Sequence, residues 1–253
     1  MKTQIINKLT EIEKANNIKI VFACESGSRA WGFPSPDSDY DVRFIYVRPI
    51  NFYLSVAENT DHLSFAINDD LDISGWDVRK ALQLIRKSNT TPFEWLQSPI
   101  IYKEDVDFKD ELWNLCPNYF SKRVNIHHYL GIAKGAYNTI ENKDEIKIKK
   151  LFYVLRPLLA AKWNLEKNTI APMNIQPLLT LLPNELANSM QDLIQIKSTA
   201  AEGYVINIES TIKTFIENTF KNLEEQSKNL DKESFGIDEL DTYFIKTIRH
   251  YDY

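Results

Sequence analysis

Asp39 and Asp41 stand two residues apart in Ser38-Asp39-Tyr40-Asp41-Val42-Arg43, a segment of extended character. Side chains on a strand alternate between faces, so Asp39, Asp41 and Arg43 project one way and Tyr40, Val42 and Phe44 the other. Two carboxylates on one face repel, and without a cation one of them tends to take up a proton. A divalent ion removes that conflict, and hard oxygen donors suit Mg²⁺, which takes one or two carboxylates and completes its shell with water and substrate phosphate. Upstream, the Gly27-Ser28 turn leaves backbone N–H groups open, and such a turn leading toward a helix start can hold phosphate oxygens. The plainer reading makes Asp37 and Asp39 turn residues and Asp41 a strand-end charge; it suffices for a lone Asp-x-Asp but not for one that follows a Gly-Ser turn. Arg43, on the carboxylate face, either contacts phosphate or balances Asp41, and Arg29 and Lys80 carry the same pair of readings.

The elements that must position these residues are legible in outline. Ile5, Ile6, Leu9 and Ile12 have helical spacing, which predicts a helix over 3–16. Residues 18–23 read as a buried strand running into Gly27-Ser28, and a loop rich in Gly, Pro, Ser and Asp covers 32–38. A second strand is expected over 39–47, flanked by Pro34, Pro36 and Pro49. An extended stretch at 62–67, the Asn68-Asp69-Asp70 turn and residues 71–76 suggest a hairpin, and Val78, Leu82 and Ile85 predict a helix over 78–87. Residues 110–249 are a succession of helical patterns, for example Leu151, Leu155, Leu158 and Leu159. The fold class expected is α+β, a small mixed sheet with helices over 1–108 followed by an all-helical domain over 109–253. The charged stretch 222–234 reads as a loop or an exposed helix end.

A chain of 253 residues that is 43% hydrophobic holds one large core or two modest ones and lies outside the range of disordered sequences. Its net charge of -5 provides no general pull toward nucleic acid, so such a substrate needs a local basic cleft. Cys24 and Cys116 lack metal-ligand spacing and read as buried thiols of a reducing cytoplasm. The N-terminal residues show neither a long apolar core nor a small-residue cleavage site, and no run is apolar enough to span a bilayer, so a cytoplasmic protein with no membrane partner is expected. His127 and His128 are adjacent and cannot face one metal from a helix, and no nucleophile-elbow motif supports a Ser-His-Asp hydrolase.

Gly-Ser, a glycine-containing loop and then Ser-Asp-x-Asp resemble the signature of the polymerase-β nucleotidyltransferase superfamily. Within it the chain resembles the subfamily associated with RNA-repair genes, through Gly27-Ser28-Arg29-Ala30-Trp31-Gly32, Ser38-Asp39-Tyr40-Asp41-Val42-Arg43, residues 72–80, Ser88-Asn89, Glu94-Trp95-Leu96-Gln97-Ser98-Pro99 and residues 149–163. The similarity extends from residue 20 to residue 185. It implies a polymerase-β-type nucleotidyltransferase domain, two Mg²⁺ ions for which Mn²⁺ can substitute, and transfer of a nucleoside monophosphate from an NTP, ATP among them, to an acceptor hydroxyl. An RNA end, a protein side chain as in antitoxin-type enzymes, and a small molecule are the acceptors in play; a binding module without turnover is the competing class, opposed by the intact carboxylates.

The superfamily also requires a third carboxylate on a neighbouring strand. Asp72, a charge between Leu71 and Ile73, is assigned to it, whereas Asp77, just before a helix, is assigned to an N-cap. By the same resemblance Asp39 and Asp41 bridge both metals, Asp72 binds the one nearer the acceptor, and Gly27 and Ser28 cradle the terminal phosphates. Lys149, Tyr153 and Arg156 stand at i, i+4 and i+7 and share a helix face, matching the lysine and arginine that related enzymes supply from the second domain to neutralise the triphosphate; the alternative is a solvated basic face, and Pro157 would bend the helix there. Asn89 and Glu94 belong to the match, yet read equally as a helix C-cap and a first-turn helix charge. Trp31 and Phe33 are placed to stack on a base, whereas Tyr40 is expected in the core.

Overall fold

The computed structural model of the protein describes residues 1–57, 59–68 and 70–252. Ile5, Leu9 and Ile12 make the inward stripe of helix α1 (Lys2–Asn16), which Asn17 closes in the left-handed conformation at φ 48°. Strand β1 (Lys19–Glu25) follows, with a neighbour on each side and buried from Ile20 onward. The chain then forms α2 (Gly27–Trp31), β2 (Tyr40–Val47), α3 (Ile50–Tyr53), β3 (His62–Asn68) and β4 (Leu71–Asp77). After these come α4 (Val78–Arg86), α5 (Thr90–Leu96), β5 (Ile101–Glu104) and α6 (Val106–Leu115). A 3₁₀ turn at Cys116–Tyr119 leads to α7 (Lys122–Tyr137), β6 (Glu145–Lys147), α8 (Ile148–Lys167), α9 (Ile175–Leu179) and α10 (Asn184–Thr199). The chain ends with β7 (Val205–Asn207), α11 (Ser210–Lys228) and α12 (Asp238–His250).

Five strands form one mixed sheet in the order β3-β4-β2-β1-β5. β3 and β4 are the antiparallel hairpin expected, although Asp69 of its turn lies outside the described residues. The parallel pair is β2 with β4, and parallel neighbours need a crossover; α3 and β3 supply it. That pairing sets Asp41 opposite Asp72.

The mixed α+β chain divides into two compact units that are discontinuous in sequence. The first comprises residues 1–27, 39–119 and 234–253, and its core holds Ile5, Leu9, Ile20, Val42, Phe44 and Ile73 beside the sheet. The second comprises residues 28–38 and 120–233, with Ile126, Tyr129, Leu155, Leu158 and Ile216 in its core. A single cut after residue 108 therefore does not describe the units. Residues 28–38 join the second because Phe33 is fully buried there and stacks on Phe152 of α8 with ring centroids 4.7 Å apart. Residues 234–253 join the first because Tyr243 of α12 is buried and donates from its hydroxyl to the Phe108 carbonyl at 2.8 Å.

The second unit is not purely helical either, since β6 and β7 pair antiparallel. Strands of three residues are too short to display an alternating pattern, and backbone pairing alone reveals them. Of the charged stretch at 222–234, the part up to Lys228 is the end of α11. α8 continues through Pro157. Among the described residues, no helix is long and apolar enough to cross a membrane.

Candidate active site

The carboxylate end of β2 is built by its neighbours. Glu25, the last residue of β1, is fully buried and accepts the Asp41 N–H on Oε1 at 2.7 Å, while the Tyr102 hydroxyl donates to its Oε2. The Asp41 carbonyl accepts from the Ser26 N–H at 2.8 Å, and the Ser98 hydroxyl donates to the Glu25 carbonyl at 2.7 Å. The backbone at Asp41 is thus held on both sides. A buried carboxylate is costly unless hydrogen-bonded, and Glu25 meets that condition. Glu25 was missed in the sequence, although a charge closing the apolar run 20–24 is the same signal that singles out Asp72.

Gly27 follows, at φ +58°, in the left-handed region that favours glycine. A Cβ at this position would lie 2.0 Å from Asp41 Oδ2, so the missing side chain is what lets the carboxylate approach the turn.

Asp41 and Asp72 occupy matched positions on parallel strands, and Arg43 spans them. Its Nη2 is 3.0 Å from Asp41 Oδ1 and 2.8 Å from Asp72 Oδ2. Its Nη1 donates to the carbonyls of Val42 at 3.0 Å and Asp72 at 3.4 Å. The sequence left open whether Arg43 balances Asp41; it does, and Asp72 with it. The acidic side chains stay partly open to solvent, at 35% for Asp41 and 48% for Asp72. Asp39, exposed, immediately precedes β2. Among the described residues, no three His, Cys, Asp or Glu side chains stand close enough together to hold a metal ion. The structure thus brings Asp41 and Asp72 together and does not gather Asp39 with them. A cation nevertheless fits the pair: two adjacent anionic oxygens already share one positive charge, and their chemistry is that of Mg²⁺ ligands.

Within the second unit, Ser28 Oγ donates to Ser38 Oγ at 3.1 Å, and Arg29 Nη2 donates to the Ser38 carbonyl at 2.5 Å. Ser38 Oγ in turn donates to Glu202 Oε1 at 2.9 Å, and Lys149 is paired with Glu202 Oε2 at 2.5 Å. Burial pushes the Glu202 carboxyl up, but the bonds from Lys149 and Ser38 outweigh it and hold the group below the usual range. Lys197 is buried against the Phe33 ring and donates to Ser35 Oγ at 2.9 Å, and burial lowers its ammonium below the ordinary lysine range.

Arg156 departs from the expected solvated or phosphate-facing role. It is only 3% exposed, and it donates from Nε and Nη2 to the Met173 carbonyl at 3.3 and 3.0 Å. Its guanidinium also lies over the rings of Trp31 and Tyr129. Tyr153, 39% exposed, meets the edge of Trp31. Tyr153 and Arg156 therefore share a helix face as their spacing requires, but Trp31 covers it. Tyr40 packs against the first unit's core, as expected.

Comparison with known proteins bears directly on this geometry. The model of the RNA repair pathway DNA polymerase beta family (RlaP) matches residues 1–246. The chain belongs to that family. A relative, the uncharacterized protein YcgL of Bacillus subtilis (strain 168), is 40% identical over 254 residues, a stretch covering 98% of this chain and 96% of the relative. A solved structure of a nucleotidyltransferase-like protein from Exiguobacterium sibiricum 255-15 shares 12% identity, covering 88% of this chain and 74% of its own, with a TM-score of 0.31.

In this RlaP family member the remaining motif residues have structural partners. Asp77 is the N-cap of α4, accepting the Arg79 N–H at 2.8 Å on one oxygen and the Tyr53 hydroxyl at 3.0 Å on the other. Burial pushes its carboxyl above the ordinary aspartate range. Asn89 is an N-cap rather than a C-cap: it accepts the Thr91 N–H at 2.9 Å and opens α5. Glu94 lies beyond the first turn of that helix and is buried. Cys24 and Cys116 are free thiols, both buried, and burial raises them far above the usual thiol range.

Proposed function

We propose that the protein transfers a nucleoside monophosphate from an NTP to the hydroxyl of an RNA end. The observation that carries this reading is the Asp41–Arg43–Asp72 arrangement on parallel strands beside the Gly27 turn. Membership of a family described by RNA repair supports the choice of acceptor. Asp41 and Asp72 are the residues that would hold Mg²⁺, or Mn²⁺ in its place; Asp39, which is not gathered with them, would have to move to join them. When bound, the two ions supply Lewis-acid stabilisation of the phosphoryl oxygens and lower the pKa of the attacking hydroxyl.

The chain's own groups do the rest. Asp72, half open to solvent, is the group assigned to take the acceptor's proton. The backbone N–H groups of Gly27 and Ser28 are assigned to phosphate oxygens, because a glycine in the left-handed region can turn successive amides toward one anion. Arg29, Arg43 and Lys149 are the cations assigned to the triphosphate, and Tyr153 is the ring assigned to the nucleotide. Arg156, bonded to carbonyl groups, supports Trp31 and Tyr153 in this reading and does not touch phosphate.

The test is transfer of label from each α-labelled NTP, with Mg²⁺, to separate pools of RNA, protein and small molecules. Labelled RNA is expected with the natural chain and no label with Asp41→Asn or Asp72→Asn, whose melting temperatures should stay close to the natural one. Turnover that survives in either variant removes the mechanism, and label on protein or on a small molecule instead of RNA replaces the acceptor.

A further inference from the structure

Arg43 touches both Asp41 and Asp72 across the strand pair, and its side chain is only 19% exposed. A guanidinium keeps its charge at every physiological pH, and its planar fork suits carboxylate and phosphate alike. Four oxygens surround it: one from each carboxylate and the carbonyls of Val42 and Asp72. Without it, two carboxylates at matched positions of adjacent strands would repel each other. The same contact opposes a divalent ion, because Asp41 Oδ1 and Asp72 Oδ2 are already engaged and a second cation on them would be repelled by the first.

We propose that Arg43 is the resident counter-ion of the carboxylate pair and makes metal loading conditional on nucleotide. The guanidinium holds Asp41 and Asp72 in register until phosphate oxygens offer it an equivalent partner; it then turns to them and frees both carboxylates for the metal. Arg43 lies two residues beyond Asp41 on the same strand face, so this exchange is a side-chain rotation and leaves the strand in place. The inference rests on the nucleotidyl-transfer reading for the identity of the anion, but its central claim concerns metal affinity alone. If Arg43 is instead a fixed brace, its removal lets the carboxylates splay and weakens the metal site.

The two accounts predict opposite signs. Binding of Mn²⁺ to the full chain without nucleotide, followed by electron paramagnetic resonance, should tighten about tenfold in Arg43→Gln, since two partly exposed ion pairs no longer compete. Adding Asp72→Asn to that variant should abolish the gain. A triphosphate analogue blocked at the α,β bridge should raise Mn²⁺ affinity markedly in the natural chain and much less in Arg43→Gln. Unchanged, weaker or undetectable Mn²⁺ binding in Arg43→Gln overturns the proposal. Should that variant not fold, Arg43→Lys serves: a point charge grips the pair less firmly, so a smaller gain is expected, and equal or weaker binding overturns the proposal. Failure of nucleotide transfer would remove the functional reading while leaving this metal comparison intact, so the two failures are separable.

Discussion

Replacing Gly27 by alanine tests the site at its tightest point. Two costs can be separated. At φ +58° an L-residue pays about 1–2 kcal/mol relative to glycine. The new Cβ would also stand 2.0 Å from Asp41 Oδ2 and 3.0 Å from its Cγ, so the carboxylate must retreat by more than about 1 Å to reach ordinary contact. It cannot do so freely, because Oδ1 is paired with Arg43 at 3.0 Å and the Asp41 amide is held by Glu25 at 2.7 Å. A misplacement of about 1 Å in a reacting constellation can cost about 10²-fold in rate. Gly27→Ala should therefore lose about 1–2 kcal/mol in urea unfolding and about 10²-fold in kcat for label transfer. Gly27→Asn separates the terms: asparagine tolerates the left-handed region, so stability should largely return, but it carries the same Cβ and should keep the rate defect. A transfer rate for Gly27→Ala within about threefold of the natural chain would refute the argument, as would restoration of rate by asparagine.

Asp77→Ala should destabilise the first unit by at least about 1 kcal/mol through loss of the α4 cap, and further because the Tyr53 hydroxyl, which still accepts the Arg48 N–H, loses the acceptor of its own proton, whereas Asp77→Asn keeps a capping oxygen. Because burial raises the Asp77 pKa in the folded state, the folded chain binds this proton more tightly than the unfolded one; the associated stability is complete below the ordinary aspartate range and is lost as pH rises through the raised value. Urea titrations across that window should show the natural chain losing ground to Asp77→Asn, and a pH-independent difference would contradict the assignment. In the second unit, Arg156→Ala should lower stability by about 1–3 kcal/mol because the Met173 carbonyl loses its donor, and a change below about 0.5 kcal/mol would show a solvent-face role instead. Lys149→Ala removes one partly exposed ion pair, so its effect on stability should not exceed about 1 kcal/mol, while its loss as a phosphate ligand should cost about 10²–10³ in kcat/KM; a near-natural kcat/KM would exclude it from the nucleotide site.

The sequence by itself determined the features that depend on neighbours along the chain. The apolar run ending at Cys24, the Gly27 turn, the alternation through Asp41 and Arg43, the hairpin leading to β4 and the capping aspartate at Asp77 all follow from local periodicity and turn chemistry. Tertiary structure decided what those rules do not reach. Asp72 faces Asp41 because β4 pairs parallel with β2, a contact between strands separated by a crossover. Arg43 engages both carboxylates only once that pairing exists. Glu25 becomes a buried support through the Asp41 amide and the Tyr102 hydroxyl that reach it from the strands on either side, and Asn89 caps the helix that follows it through the Thr91 amide. Lys149, Tyr153 and Arg156 have the spacing of one helix face whether that face is wet or covered, and packing against Trp31 covered it at Arg156. Residues 28–38 fall in the helical unit through contacts that no local rule foresees: Phe33 stacks on Phe152, Trp31 packs against Arg156 and Tyr153, and Ser35 and Ser38 bond to Lys197 and Glu202. Spacing along a chain specifies direction, but burial depends on which distant segment arrives, and apolar surface removed from water makes that choice without requiring any particular sequence separation.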